Sequence, residues 1–416
     1  SKTYNTNAQT PDSAGTMSAM TTGVKTKIGV IALTDAAPVG DCASSKNAIA
    51  PTLGELAERA GIATGVVTTT RLTHATPAAV YAHAADRDWE RDTNLPEEAQ
   101  ANGCADIARQ LIEFADGDGI DVAMGGGRAN FLPAEMSDPE APELTGGRRD
   151  GRDLTAEWRA KSPAHVYVWN REEFDAIDAI SSPRVLALFA PSHMNFETDR
   201  AADKAGEPSL AEMTEKAIEI LSRKKNGFFL MVEGGRIDHA HHGGNAARAL
   251  RDTQAFSDAV AKAVAMTYPR DTLIIVTADH GHTMSMAGYP QKGNPILGLA
   301  SASLEDANAR DGYALAGDGK VYTTLGYANG PGSVLGGQKK AGERPEPRPE
   351  EAADVNYRQQ AAIPSASETH GGQDVVIYAT GPHAHLFGGV VEQSYVFHVI
   401  DAALDLRKRA QKSTPR

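Results

Sequence analysis

Short apolar runs without polar alternation recur along this chain, with stretches of helical periodicity between them. Val185 to Phe189, Gly227 to Val232 and Thr272 to Val276 are the plainest. A strand that is apolar at every position is buried on both faces, which calls for a mostly parallel sheet with helices above and below it. Strands are expected at Thr64–Thr70, Asp121–Met124, Val185–Phe189, Gly227–Glu233, Thr272–Thr277 and Asp374–Ala379. Helices are expected at Ser13–Thr22 with Gly23 as its stop, and at Thr52–Ala60 with Gly61 as its stop. Further helices are expected at Cys104–Phe114, Asn245–Met266 and Tyr395–Leu406. Ser209–Lys224 opens with a Ser209/Glu212 capping box and has an apolar face of Leu210, Met213, Ala217, Ile220 and Leu221. The fold class is thus α/β, a large mostly parallel central sheet with helices on both faces, read as one domain over 1–416. Ligands then belong at the carboxyl ends of the strands.

Two stretches break the rhythm. Met136–Leu154 is polar and reads as a surface excursion. Residues 289–362, rich in Gly, Pro and charge and including Glu343-Arg344-Pro345-Glu346-Pro347-Arg348-Pro349, read as an insertion with strand at Tyr313–Leu325. Gly125, Gly126 and Gly127 match no phosphate-loop pattern and read as a tight turn. The basic end, Arg407 through Arg416, reads as a solvated tail.

With 41 basic and 54 acidic residues in 416, the net charge is −13, which disfavours nucleic acid as a stable partner. No apolar run approaches the roughly 20 residues needed to span a bilayer. No signal peptide is evident, and the sequence begins at Ser1 rather than Met, so a processed form or a fragment is expected. The two cysteines, Cys42 and Cys104, form no CxxC pair. Two buried thiols and one disulfide remain open; a disulfide would be worth about 4 kcal/mol in the chain-entropy model.

Three histidines crowd into Asp238-His239-Ala240-His241-His242, just past an apolar strand. Asp238 and His242 stand at i, i+4, so a helical turn puts carboxylate and imidazole on one face, a donor pair suited to zinc. Asp279-His280-Gly281-His282 follows the next strand and reads as a second metal cluster. Glu233 ends a buried strand, where a carboxylate is costly unless it is paired or metal-bound. His370, between Thr369 and Gly371, is weak alone. Ser13, after Asp12 at a helix start, could face an anion, but by itself reads as a cap. Arg87 could grip phosphate with two parallel bonds.

Together these segments resemble the alkaline phosphatase family, closer to its animal-type and marine bacterial members than to the enteric type. Pro11-Asp12-Ser13-Ala14-Gly15-Thr16 is similar to the nucleophile motif. Val232 through His239 and Thr277 through His282 are similar to the metal motifs, and Glu368-Thr369-His370 to the last zinc-ligand motif. The resemblance implies hydrolysis of phosphate monoesters through a phosphoserine on Ser13, with two zinc ions and one magnesium ion. Asp238, His242 and His370 would hold the first zinc, and Asp279, His280 and Ser13 the second. Thr76 and Glu233 would bind magnesium. Arg87 would clamp phosphate, steadied by Asp12. His74, His239 and His282 would stand just behind the ligands, with His282 orienting Asp238. The insertion would be crown-like, Cys42 and Cys104 would pair, and the protein would be a periplasmic or secreted homodimer acting on small phosphate monoesters. A structural calcium matches only in part. Glu140, Phe189 and Glu207 fit, but Ala190 stands where a carboxylate is expected, which makes Ca2+ doubtful. The family's opening Gly-Asp-Gly-like motif, whose Asp is shared by zinc and magnesium, has no match here, so an upstream segment is expected. Rival readings are a phosphodiesterase or sulfatase of the same superfamily, a catalytically impaired metal binder, and a structural secreted protein.

Overall fold

Five strands form one wholly parallel sheet in the computed structural model: β1 (Ala63–Arg71), β2 (Val122–Gly126), β3 (His165–Val168), β4 (Arg184–Leu188) and β5 (Phe228–Glu233), in the order β3-β4-β2-β1-β5. The structure describes residues 1–181, 183–303, 309–334 and 344–413. Within the expected insertion, 304–308 and 335–343 lie outside the described residues, as do 414–416 of the expected tail. The chain divides into two compact units. The first is 1–235, 255–280 and 372–416, and the second is 236–254 and 281–371.

The sheet belongs to the first unit, and its side chains alternate between two cores. Val66, Ala123, Leu186, Leu188 and Met231 enter the core shared with Ala14, Met17, Tyr81, Leu111 and Trp158. Val67, Val122, Met124, Val185, Ala187 and Phe189 enter the other, where Leu210, Met213, Ala217, Ile220 and Leu221 meet them. Those five lie on helix Leu210–Leu221, whose capping box of Ser209 and Glu212 is formed on both sides. Helix Ser13–Thr22 ends at Gly23, where φ is 78° and an added Cβ would lie 2.7 Å from the Phe397 ring. Only glycine fits that stop. A further strand, β6 (Ile274–Thr277), pairs antiparallel with Ile377–Thr380.

The second unit holds a three-stranded sheet of Met284–Met286, Leu325–Gly330 and Ala361–Pro364 over a small core of Leu299, Val321 and Ala352. Strand Gly281–His282 pairs antiparallel with His370–Gly371, setting His370 opposite His282.

Several expectations change. Met136–Leu154 runs over the surface as expected, with most of 136–145 and 149–151 exposed, but it carries two buried charges. Arg148 is wholly buried, with both terminal nitrogens 3.0 Å from the Asp106 carboxylate, and Asp138 is buried against Arg128 at 2.7 Å. Polarity there marks two buried ion pairs as well as solvated surface. The helix expected over Cys104–Phe114 covers only Ile107–Ile112, capped by Asp106. Of the strand expected over Tyr313–Leu325, the described residues form Tyr313–Ala314 and the start of Leu325–Gly330, and Ala309–Arg310 and the start of Ala361–Pro364 are further strand in the insertion. Gly125 and Gly126 continue β2, and only Gly127 turns, at φ 97°. The closing helix stops at Leu404, because Asp405 turns left-handed at φ 54°. A new helix, Leu406–Ser413, then replaces the solvated tail by burying Leu406 and Ala410. The pairing that the resemblance implied for Cys42 and Cys104 is unchanged: they form a disulfide.

Carboxylates also gather at the amino ends of the strands. Glu58, 3% exposed, accepts from Thr64 Oγ1 at 2.5 Å, and Asp121 pairs with Lys224 at 2.7 Å. Burial pushes the Glu58 carboxyl up to about 8, with Asp121 and Asp118 adding to the rise and the Thr64 bond opposing it. An unfolded glutamate titrates near 4.3. Between those values the fold holds a proton that the unfolded chain has lost, so this contribution to stability declines as pH rises through about 8. Glu58→Gln is therefore expected to raise the melting temperature by a few degrees at pH 9 and to match the parent near pH 4. Equal shifts at both pH values in a thermal melt would refute the assignment.

Candidate active site and metal centres

Asp12 has an extended backbone, and its side chain caps helix Ser13–Thr22 by accepting from the Gly15 N–H at 3.1 Å. Its other carboxylate oxygen accepts from the Gly29 N–H at 2.9 Å and pairs with Arg87 Nη1 at 3.1 Å. Ser13 is thereby the first residue of a helix, 6% exposed, at an end whose dipole and N–H groups favour an anion. Arg87 Nη2 lies 3.2 Å from His74 Nε2. A guanidinium can only donate, so His74 accepts there and carries its proton on Nδ1. The His74 ring stands edge-on to His193, with centroids 5.3 Å apart. Arg71 grips Glu90 at 2.7 and 2.6 Å and reaches His193 Nε2 at 2.6 Å.

Asp279 Oδ2 and Ser13 Oγ each lie 3.1 Å from His280 Nε2. In a serine–histidine–carboxylate relay, the hydroxyl and the carboxylate use different ring nitrogens. Here both face the same one, so three polar atoms converge instead of forming a relay. Gln393 holds this loop by donating to the Asp279 carbonyl at 2.7 Å.

The β1–β5 register sets Thr68 beside Glu233, and Thr70, two residues on, lies on the same face of the strand. Glu233 accepts from Thr68 Oγ1 at 2.5 Å and from Thr70 Oγ1 at 3.3 Å, and also from Thr76. A Cβ on Gly235 would come within 2.3 Å of Thr70 Cγ2 and 2.9 Å of Glu233 Cδ, so glycine lets the chain pass this carboxylate. Burial pushes the Glu233 carboxyl up to about 7; Asp279 adds to the rise, while the threonines oppose it. A carboxylate served by hydroxyls suits a hard cation such as magnesium.

The second unit carries the other cluster. Helix Arg236–His242 puts Asp238 and His242 on one face. His242 Nε2 and His370 Nε2 each lie 3.3 Å from Asp238 Oδ1, and 3.1 Å from one another. A tetrahedral ion with bonds of about 2.0 Å has ligand–ligand edges of about 3.3 Å, so these three atoms have the spacing of one face of a zinc site. Burial would raise the Asp238 carboxyl, but hydrogen bonds from His242, His282 and His370 hold it well below the usual range. His282 Nε2 is 2.9 Å from Asp238 and its Nδ1 is 2.7 Å from Glu368. Burial disfavours its charge, yet Asp238 and Glu368 push it up to about 9. His239 meets Arg236 at 3.0 Å.

Sequence reading missed several partners. His241 stacks on His282 at 4.6 Å and bonds the Tyr327 hydroxyl at 2.8 Å, although its place in the histidine run could have flagged it. Arg71, Glu90 and His193 come from three separate segments, and no motif announces them. Of the residues weighed for calcium, Glu140 faces Arg128 at 2.7 Å, a cation that competes with a metal. Phe189 packs against Phe174, Ala190 is buried, and burial pushes the Glu207 carboxyl up to about 7.

The family model described as alkaline phosphatase matches residues 1–406. The tissue-nonspecific isozyme of alkaline phosphatase from Mus musculus is 44% identical over 406 residues, 96% of this chain and 74% of that protein. An alkaline phosphatase from Gadus morhua is 43% identical over 405 residues, 96% of this chain and 81% of that protein. Among solved structures, the Thermus thermophilus alkaline phosphatase aligns with a TM-score of 0.66 at 26% identity, covering 99% of this chain and 85% of its own.

Asp12→Asn keeps an oxygen for the cap but removes the charge opposite Arg87. It is expected to change stability by no more than about 1 kcal/mol and to weaken inorganic phosphate binding about tenfold. Unchanged phosphate affinity in a binding titration would show that Arg87 does not rely on Asp12.

Proposed function

We propose, from the premise that this chain belongs to the alkaline phosphatase family and hydrolyses phosphate monoesters, that Ser13 is its nucleophile and that two zinc ions and one magnesium ion serve it. The observation that carries this reading is the convergence of Ser13 Oγ and Asp279 Oδ2 on a single nitrogen of His280, each at 3.1 Å. The Asp238, His242 and His370 atoms, spaced at 3.1 to 3.3 Å, support the first zinc set. Glu233 and Thr76 support magnesium, with His74, His239 and His282 behind the ligands. Bound metal supplies a Lewis acid that lowers the pKa of a coordinated hydroxyl or water and neutralises oxygen charge.

The chain's own residues do the rest. Ser13 Oγ, having lost its proton, attacks phosphorus in line, and the ester oxygen leaves with the alcohol. Water then cleaves the Ser13–phosphate bond, releasing inorganic phosphate and restoring the hydroxyl. Arg87 holds two phosphate oxygens through both steps, kept in place by Asp12 and His74. The helix N-terminus at Ser13 adds favourable partial charge to the same anion.

The Cys42–Cys104 disulfide supports an oxidising location, periplasmic or secreted. No helix among the described residues is long and apolar enough to cross a membrane. The crown-like reading of 289–362 and a homodimer follow the family.

Ser13→Ala is expected to abolish the phosphoenzyme while zinc still binds. Radiolabelled phosphate trapped on that variant would sink the assignment. EDTA should remove p-nitrophenyl phosphate hydrolysis and added zinc with magnesium should restore it; activity indifferent to chelation would contradict the metal sets. A diester or a sulfate ester turned over faster than the monoester would favour the rival superfamily chemistries.

A further inference from the structure

Glu368 is 1% exposed, and every polar atom it owns is used around the Asp238 cluster, all within the second unit. Its Oε1 accepts from the Thr283 N–H at 2.6 Å and from the Thr283 hydroxyl at 2.7 Å. Its Oε2 accepts from His282 Nδ1 at 2.7 Å. Its backbone N–H donates to the His242 carbonyl at 2.9 Å, and its carbonyl accepts from His242 Nδ1 at 2.6 Å. A carbonyl can only accept, so His242 carries its proton on Nδ1, leaving Nε2 as the nitrogen that meets Asp238 and His370. Two residues further on, His370 sits opposite His282 across a strand pair.

We propose that Glu368 is the positioning residue of the first zinc set: its backbone fixes the tautomer and aim of His242, and its carboxylate, locked by Thr283, fixes His282 and through it Asp238. This rests on reading Asp238, His242 and His370 as zinc ligands. Glu368 lies close enough to His242 and His282 to be considered a ligand itself. Its carboxylate is instead saturated by three donors, so it orients and does not coordinate. Partners of this kind behind a metal typically change affinity by about 10- to 100-fold.

The test uses the full chain, stripped by chelation, in a His280→Ala background that removes the second proposed zinc set. Zinc dissociation constants are measured by competition with a chromophoric chelator, alongside the melting temperature of the zinc-free protein. Glu368→Gln is expected to weaken zinc binding about 10- to 100-fold with the zinc-free melt preserved, and excess zinc should restore occupancy. Thr283→Val should weaken it in the same direction by a smaller factor. Asp238→Asn should remove tight binding altogether. Affinity within twofold of the parent in both Glu368→Gln and Thr283→Val, while Asp238→Asn fails to bind, overturns the proposal alone. Loss in Glu368→Gln as complete as in Asp238→Asn also overturns it, by making Glu368 a ligand. Unchanged affinity in Asp238→Asn removes the zinc reading and this inference with it. If Glu368→Gln does not fold, Thr283→Val decides: weaker binding supports the proposal and unchanged binding overturns it.

Discussion

The Asp12 carboxylate is 7% exposed and answers three donors: the Gly15 N–H of the helix it caps, the Gly29 N–H of the following loop, and Arg87. A buried carboxylate is tolerated only when hydrogen-bonded or paired, so its partners are fixed as tightly as it is. That one group decides where the helix begins, and therefore that Ser13 occupies the first turn. It also decides where Arg87 points. On the proposed reading, nucleophile and anion grip are set by the same side chain, and the Arg87–His74–His193 contacts extend that rigidity to the Arg71–Glu90 pair.

The sheet carries buried carboxylates at both of its ends. At the amino ends of the strands, Asp121 is matched by Lys224, while Glu58 accepts from the Thr64 hydroxyl beside Asp121 and Asp118. At the carboxyl end of β5, Glu233 accepts from threonine hydroxyls, and Asp279 adds negative charge. Burial favours the protonated form of both glutamates. Negative charge at either place is unfavourable unless a proton or a cation joins it. Glu233 stands where ligands lie in open parallel sheets, at the carboxyl end of a strand.

Local signals were legible in the sequence and tertiary ones were not. The Ser209/Glu212 capping box and the Gly23 stop depend on residues a few positions apart, and both form where expected. The strand order, with β1 between β2 and β5, rests on contacts distant in sequence that no periodicity encodes. Polarity correctly marked Met136–Leu154 as mostly surface but concealed Arg148 and Asp138, since hydropathy cannot tell a paired buried charge from a solvated one. It also concealed the helix Leu406–Ser413, in which Leu406 and Ala410 are buried beneath exposed Arg407 and Lys408. The candidate donor runs Asp238-His239-Ala240-His241-His242 and Asp279-His280 stood out in the sequence because metal chemistry needs particular donors at close spacing. Only the fold shows what Glu368 and His193 touch.

A net charge of −13 is ill suited to an anionic substrate, and the resolution is local. Around Ser13 the attractive elements are one helix terminus and Arg87, whose charge is already shared with Asp12. Asp279, in the same loop as His280, and Glu233 work against them. On the proposed reading, cations bound by these carboxylates reverse the sign of the local field, since a bound divalent ion is the largest charge in such a site. The same side chains would then repel phosphate when bare and help to hold it when loaded. Metal occupancy and substrate affinity are in that case one linked equilibrium, and the ligands that make the site costly to fold are those that make it selective for a phosphate group.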